Sequence, residues 1–378
     1  MGFKRTSRKS KRALTAVGLA VRSQGCRWSA LYTSWRFLQF ARQFGYEPVE
    51  AFRLGMFDPQ FDTAALHAFV SRKHTTRMQE ALNPSILAGL FKNKVLFHRT
   101  CRSHELPVPK LYGVFSASAK TTHACRNEAL VPSSDVTAIA DALPQRFALK
   151  PAEGSLGAGF KIMTRINGGF QDHDGVYYAP DAFLRLLAGS SPVGSLMQEV
   201  VENHPLITSF TGVAALQTVR IITLVGAHDR VEILSAFLKT IIDTRIVIDT
   251  HLENLKGNLE VLIDPAEGSL GEASYLDGDG KGIVIMDNHP VSGNPFKGFV
   301  IPCWPQVRDL AARAAAMALP VRTIGWDIAI TPDGPCLIEG NIWWNPPNQH
   351  RTMPRIARRM QSAITELSDA NQIRRMQN

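Results

Sequence analysis

The stretch that decides how this chain is read is Gly325–Asn341, GWDIAITPDGPCLIEGN. Trp326 to Ile330 reads as a strand, Thr331 to Pro335 as a tight turn, and Cys336 to Glu339 as a second strand. The turn carries Pro332, Asp333 and Gly334, types that fix φ near −65° or tolerate positive φ. In such a hairpin Asp327, near the start of one strand, comes close to Glu339, near the end of the other. Glu339 and Asn341 are two apart, so in extended chain both point to one face. Two carboxylates and one amide make a compact set of oxygen donors. Hard Mg²⁺ (or Mn²⁺) favours such a set while substrate phosphates fill its remaining positions. A solvated hairpin with incidental acids is the plainer alternative. Against it stand the flanking Trp326, Ile328, Ile338 and Ile342, which make unpaired acids costly.

Working outward, Phe147 to Lys150 reads as a buried strand that runs into PAEGSLGAGF, and Phe160 to Met163 continues as another. That is a hairpin with a glycine-rich tip. It is not the strand–loop–helix of a GxxxxGK[ST] phosphate loop, which the chain lacks. Gly154, Gly157 and Gly159 let backbone amides approach phosphate oxygens, and Lys150 adds a point charge. Taken alone, a flexible hairpin tip accounts for this loop equally well. Gln217–Val225 and Arg230–Lys239 form a second expected hairpin around His228-Asp229. Arg220 interrupts its first strand and Lys239 closes the second. A charge inside a β-branched strand must face solvent or a polar site.

The remaining segments read more coarsely. Residues 1–85 look helical, with Trp28, Leu31, Trp35 and Leu38 at the spacing of one buried face and Phe37, Phe40 and Phe44 on the next. Phe57-Asp58-Pro59 marks a break, and His67 and His74 are isolated histidines of the core or surface. Ser85 to His104 reads as one helix with Lys92 and Lys94 near its middle. Leu111–Phe115 is a strand, 116–134 a loop, Val136–Ala142 a short helix, Asp181–Leu187 a helix and Leu196–Val201 a strand. Residues 249–300 read as loop-rich and as the place where an acceptor is selected, with Asn258 and His289 as candidates that are more simply structural. A helix over Val307–Ala318 is stopped by Pro320, and a basic helix ends the chain.

Composition bounds the function classes. With 378 residues, 45% hydrophobic and 20% charged, the chain can bury a substantial core and divide into lobes. The net charge of +9 sits at the ends, since residues 1–12 hold six Lys/Arg and no acid. No groove-like run of Lys/Arg with interleaved aromatics occurs between the ends, which argues against a specific nucleic-acid partner. The basic amino terminus reads as a solvated tail, with weak contact to a membrane surface as the alternative. Five scattered cysteines without a CxxC point to a reducing, cytoplasmic setting, with neither a disulfide scaffold nor a structural zinc. Ala13–Val21 is too short and too poorly flanked for a signal peptide or a membrane span.

The order of these pieces resembles the ATP-grasp superfamily, in particular its sugar-transfer-associated, glutamate-ligase-related branch. The resemblance runs over about residues 84–350 and rests on Lys150 with its loop and on the Asp327–Glu339–Asn341 set. LPVPKLYGVF, HPLITSF followed by QTVRIITL, and GFVIPCWP support it. It implies an α+β fold in which two lobes hold ATP between them. Lys150 and Lys94 would contact the phosphates, and the loop Ser155–Gly159 would close over them. Gln198, Glu199 and Val201 would read adenine at the hinge, and Glu202 the ribose. Asp327, Glu339 and Asn341 would hold Mg²⁺, while Arg220 or Lys239 would face the transferred phosphate. The family's usual amino-terminal α/β domain is not visible, and a helical extension stands in its place.

The expected divisions are a helical extension with a basic tail (1–85), a small lobe with its preceding segment (86–200), a large lobe with the metal site (201–350) and a basic helix (351–378). The expected activity is a carboxylate–amine ligase working through an acyl phosphate on small-molecule substrates; the branch's name alone adds the joining of an amino acid to a sugar or polysaccharide precursor. The rivals are a phosphotransferase on the same scaffold, a non-catalytic ATP-binding module, and a basic RNA- or membrane-binding protein.

Overall fold

A computed structural model describes residues 14–21, 27–58, 61, 69–116, 121–126, 129–133, 143–154, 157–242, 258–276, 282–345, 347 and 352–377. The expected Val136–Ala142 helix, His67, the basic run 1–12 and Ser155 lie outside the described residues. Two antiparallel sheets organise the chain, giving the expected α+β class. The smaller-lobe sheet contains β1 (Leu111–Ser116), β2 (Thr121–Arg126), β3 (Ala129–Ser133), β4 (Arg146–Pro151), β5 (Lys161–Ile166), β6 (Gly169–Asp172), β7 (Tyr177–Tyr178) and β8 (Gly194–Gln198). Its strands lie in the order β3-β2-β1-β8-β4-β5-β6-β7. The helix Pro180–Gly189 covers it, packing Phe183 and Leu187 on Phe147, Leu149, Met163 and Met197.

The second sheet contains β9 (Thr218–Val225), β10 (Val231–Ile241), β11 (Asn258–Ile263), β12 (Leu270–Leu276), β13 (Ile283–Met286), β14 (Thr323–Thr331) and β15 (Gly334–Asn341). They run in the order β13-β12-β11-β10-β9-β14-β15. Alternation along β9 assigns its two faces. Val219 and Ile221 go to the core under helix Trp304–Met317, whereas Ile222 and Leu224 go to a second core. Helices Arg72–Leu82 and Met353–Gln377 close that second core with Met78, Leu82, Ile356 and Met360. Helix Arg72–Leu82 therefore packs its apolar face with the large sheet, while its first amide, from Arg72, donates to Glu50 Oε1 of the helix before it at 2.7 Å. The preceding helices, 14–21, Arg27–Phe44 and Pro48–Arg53, build a small core of their own from Phe37, Tyr46, Phe52, Met56 and Phe57.

Several sequence expectations are corrected. Segment 116–134 is not a loop, since its described residues supply β2 and β3, and the loop-rich 249–300 also holds β11, β12 and β13 between its turns. Pairing with neighbours recruits the polar β2, whereas β11 (NLEVLI) and β13 (IVIM) carry short apolar runs of their own. Ser85–His104 is not one helix. A short 3₁₀ turn (Ser85–Leu87) and helix Ala88–Lys92 end at Asn93, whose side chain accepts from the amides of Val95 and Leu96 and starts a new helix, Lys94–Ser103. Trp35 is 58% exposed, so the expected aromatic stripe is not the buried one; Thr33, Ser34, Phe37 and Ala41 turn inward instead. Strand β8 ends at Gln198, three residues before the expected Val201.

Candidate active site

The hairpin of β14 and β15 turns through Pro332 and Asp333, pairing Thr331 with Gly334. Gly334 adopts φ +114°, a region where a side chain would strain the chain. The register then sets Asp327 directly opposite Glu339 and Gly325 opposite Asn341. On the other side of β14, Asp327 lies opposite Arg220 of β9. Because side chains on opposed residues share a face, the pairing brings these groups together.

Asp327 is 2% exposed and is gripped from two strands. Arg220 donates to it twice, Nε to Oδ1 and Nη2 to Oδ2 at 2.7 Å. Lys239 Nζ reaches Oδ2 at 3.2 Å from β10. Asn341 Nδ2 donates to Glu339 Oε1 at 3.0 Å. Burial works against the charge of Asp327, but Arg220 and Lys239 outweigh it and hold the carboxyl well below the usual range. Glu339 is pushed the other way, by burial and then by the neighbouring charge of Asp327. The pair is thus one ionised carboxylate beside a carboxyl that resists ionisation. A divalent cation relieves that tension, and two carboxylate groups with an amide are oxygen donors suited to Mg²⁺. Among the described residues no three His, Cys, Asp or Glu side chains gather as a metal cage, so the remaining ligands would come from substrate.

Across from this cluster stand the small-lobe residues. Lys150 closes β4 with its Nζ 5.8 Å from the centre of the Phe160 ring. Gly154, Gly157 and Gly159 have φ of +135°, +66° and +75°, and a Cβ on Gly159 would come within 2.8 Å of Pro151. The loop therefore depends on glycine for its shape. Lys94, first residue of its helix, donates Nζ to Gly154 O at 3.0 Å, and its amide donates to Ala152 O at 2.9 Å. Burial lowers the Lys94 ammonium, while the carboxylates of Glu339 and Glu153 oppose that shift. Lys94 thus ties the start of its helix to the glycine loop.

The segment joining the sheets is tied to both. Glu199 N donates to Lys110 O at 2.9 Å, and Glu199 Oε2 accepts from Lys110 N at 3.1 Å. His204 N donates to Ile330 O at 2.6 Å, and Leu337 N donates to Pro107 O at 2.8 Å. Gln198 is buried; Val201 follows it in the connecting segment. Glu202 is largely exposed, its carboxylate 3.8 Å from Arg146 on the small sheet. Cys336, on β15, feels both Glu199 and Lys150, and burial pushes its thiol up to about 12. The segment after β8 and the one before β1 therefore both meet the β14–β15 hairpin.

Sequence reading missed several residues here. Glu260 of β11 pairs with Lys239 and with Ser274 of β12, extending a buried polar row beyond Asp327. Gly325 lets two side chains close in, because a Cβ there would lie 2.9 Å from Trp344 Cβ and 3.1 Å from Arg220 Cδ. Asn83 holds this base together. It donates to Thr323 O and Ile342 O and accepts from the amides of Arg322 and Thr323. Its place after a helix, before Pro84, was the only available signal. His289, a candidate for acceptor selection more simply read as structural, sits inside a hydrogen-bonded pocket of the large lobe. It is fully buried, with Nε2 3.0 Å from Thr240 Oγ1 and Nδ1 accepting from Val291 N at 3.3 Å.

Comparison with known proteins bears on the fold. The sugar-transfer associated ATP-grasp family matches residues 73–349. Among solved structures, the chain is similar to the D-Ala:D-Ser ligase VanG from Enterococcus faecalis, at 12% identity and TM-score 0.43, over 75% of this chain and 64% of that one. It is also similar to biotin carboxylase from Campylobacter jejuni, at 11% identity and TM-score 0.44, over 75% and 48%. A further likeness is to D-alanine–D-alanine ligase from Bacillus anthracis, at 9% identity and TM-score 0.40, over 78% and 72%. The chain spans less than two thirds of the length of several such structures, 47% in an N5-carboxyaminoimidazole ribonucleotide synthetase. No curated protein matches the sequence. With the family match covering more than two thirds of its length and both sheets of the fold in place, the chain belongs to the sugar-transfer associated ATP-grasp family.

Proposed function

We propose that this chain is an ATP- and Mg²⁺-dependent carboxylate–amine ligase. The observation that carries the reading is the convergence of Asp327, Glu339 and Asn341 with Arg220 and Lys239 on one sheet face, opposite Lys94, Lys150 and the glycine loop. In this reading Asp327, Glu339 and Asn341 hold the metal, which supplies charge neutralisation at the phosphates when bound. Lys94 and Lys150 grip the phosphates as point charges, and amides of the loop with Gly154, Ser155, Gly157 and Gly159 cover them. Gln198, Glu199 and Val201 line the adenine end, with Glu202 toward the ribose.

Arg220 and Lys239 steady the negative charge that develops on the γ-phosphoryl group as it moves. A substrate carboxylate oxygen attacks the γ-phosphorus, the bond to the β,γ-bridging oxygen breaks, and ADP leaves. The amine of a second substrate then attacks the acyl carbon of the resulting acyl phosphate. The carbon–oxygen bond to phosphate breaks, the nitrogen loses a proton, and an amide remains. No protein nucleophile is needed. The family's description, sugar-transfer associated, supports a sugar precursor as one of the two substrates, and an amino acid is the partner proposed for it.

An ADP-release screen of amino acids against amino-sugars, followed by mass spectrometry, tests the proposal. Amide formation dependent on both substrates is expected. A phosphorylated product formed without any amine would replace the ligase with a phosphotransferase, and ATP binding without turnover would leave a binding module.

A further inference from the structure

The first 46 residues contain ten Lys/Arg and no Asp or Glu, whereas the remaining chain carries 32 Lys/Arg against 33 Asp/Glu. The segment before Glu47 is therefore strongly cationic and free of acids, while the rest of the chain sums to nearly zero. The described part of that segment also has an unusual surface. Helix 14–21 has the sequence LTAVGLAV, with no charged residue. Its small side chains Ala16 and Ala20 are fully buried against the helical core, leaving Leu14 72% and Val21 40% exposed. Leu14, Gly18 and Val21 fall at i, i+4 and i+7, one outward stripe.

The next helix, Arg27–Phe44, turns Tyr32 and Trp35 to solvent at 63% and 58% exposure, with their rings 6.2 Å apart. Large apolar groups scattered singly need no explanation, but here two aromatic rings and an apolar helix stripe occur together within one cationic segment. Tyr and Trp favour the boundary between water and lipid headgroups, where one end of the ring is apolar and the other wet. Among the described residues no helix is long and apolar enough to cross a membrane.

We infer that the amino-terminal helical unit is a membrane-surface dock for an anionic bilayer. Leu14, Val21, Tyr32 and Trp35 enter the headgroup boundary while the neighbouring Lys/Arg meet lipid phosphates. The pairing of apolar insertion with positive charge is what distinguishes this partner from a nucleic acid, which would be met by charge and stacking at a groove. The unit has its own core, so it can contact a membrane without disturbing the two sheets. The inference stands independently of the ligase reading.

The test is co-sedimentation of the full chain with vesicles of phosphatidylglycerol and phosphatidylcholine, against pure phosphatidylcholine vesicles. Binding to the anionic vesicles only, weakened by raised salt, is expected. Tyr32→Ser with Trp35→Ser should lower the vesicle affinity about tenfold or more, and each of Lys4→Gln, Arg5→Gln, Arg8→Gln and Lys9→Gln about fivefold. Both aromatic sites are on the surface, and an unchanged thermal unfolding curve shows that the fold is kept. No binding to anionic vesicles, or binding that ignores loss of Tyr32 and Trp35, overturns the inference. So does tighter binding to a single-stranded RNA homopolymer than to the vesicles.

Discussion

At the scale of single residues, Glu339 and Lys150 separate two parts of the proposed chemistry. Glu339→Gln keeps the shape and removes a charge, so metal-dependent ADP release should fall by ~100-fold or more with a milder loss of nucleotide affinity. Lys150→Ala should instead weaken ATP binding by ~10-fold, since it removes a charge-assisted phosphate contact. Kinetics and calorimetric titration on the two variants check both. Undiminished ADP release by Glu339→Gln would remove the metal assignment. His289 offers a different residue-scale test. Burial pushes its imidazole down to about 4, and its ring accepts from Val291 while Thr240 faces the other nitrogen. A base whose folded value lies below its unfolded one binds protons mainly when unfolded. Stability from this group is complete above about pH 6.5 and is lost as pH falls towards 4, by roughly 3 kcal/mol in all. Denaturation midpoints measured between pH 7 and 4 should show this loss, and His289→Gln should flatten that part of the profile.

At the scale of elements, what matters is how the hairpin is anchored. Trp326 is fully buried, donates Nε1 to Thr223 Oγ1 at 2.9 Å and packs edge-on against Phe91. Gln79 Nε2 donates to Trp344 O at 2.8 Å, and Asn83 makes four hydrogen bonds to the ends of β14 and β15. Asn83→Ala leaves buried amides and carbonyls unpaired, which costs about 2–4 kcal/mol. The expected outcome is a clear drop in urea midpoint accompanied by loss of ADP release, because the strands that carry Asp327, Glu339 and Asn341 rest on these ends. A wild-type midpoint would show that water replaces the side chain there. The sequence announced the hairpin, through its alternation and its Pro-Asp-Gly turn. It did not announce Asn83, because a lone Asn before a proline reads as a helix stop, and its four partners come from residues about 240 or more positions away.

At the scale of the whole molecule, the two ends of the chain differ in kind. Removing residues 1–12 should leave ATP turnover and thermal stability unchanged, since both sheets and every residue proposed to face the nucleotide lie beyond position 90. Removing residues 353–377 should do the opposite. It uncovers Ile222, Leu224, Leu234, Phe237 and Trp344, and the truncated chain should aggregate or lose cooperative unfolding. Solubility and circular dichroism of both truncations distinguish the cases. By charge alone the two ends look alike, as basic extensions of an almost neutral body.

The sequence by itself determined what depends on neighbours along the chain. Period-two alternation, a turn of defined residue types and the two-residue spacing of Glu339 and Asn341 are local facts, and they yielded the hairpin, the glycine loop and most of the candidate site. Tertiary structure decided everything that depends on which surfaces meet. It chose Phe37 over Trp35 for the inner face of a helix, because periodicity names a stripe but not what covers it. It made strands of β2, β3, β11, β12 and β13 by setting them beside neighbours, and it buried Leu259, Val261 and Ile263 of β11 in the large core. It also paired Arg220 and Lys239 with Asp327, residues about ninety to a hundred positions apart, because only sheet register sets three strands side by side.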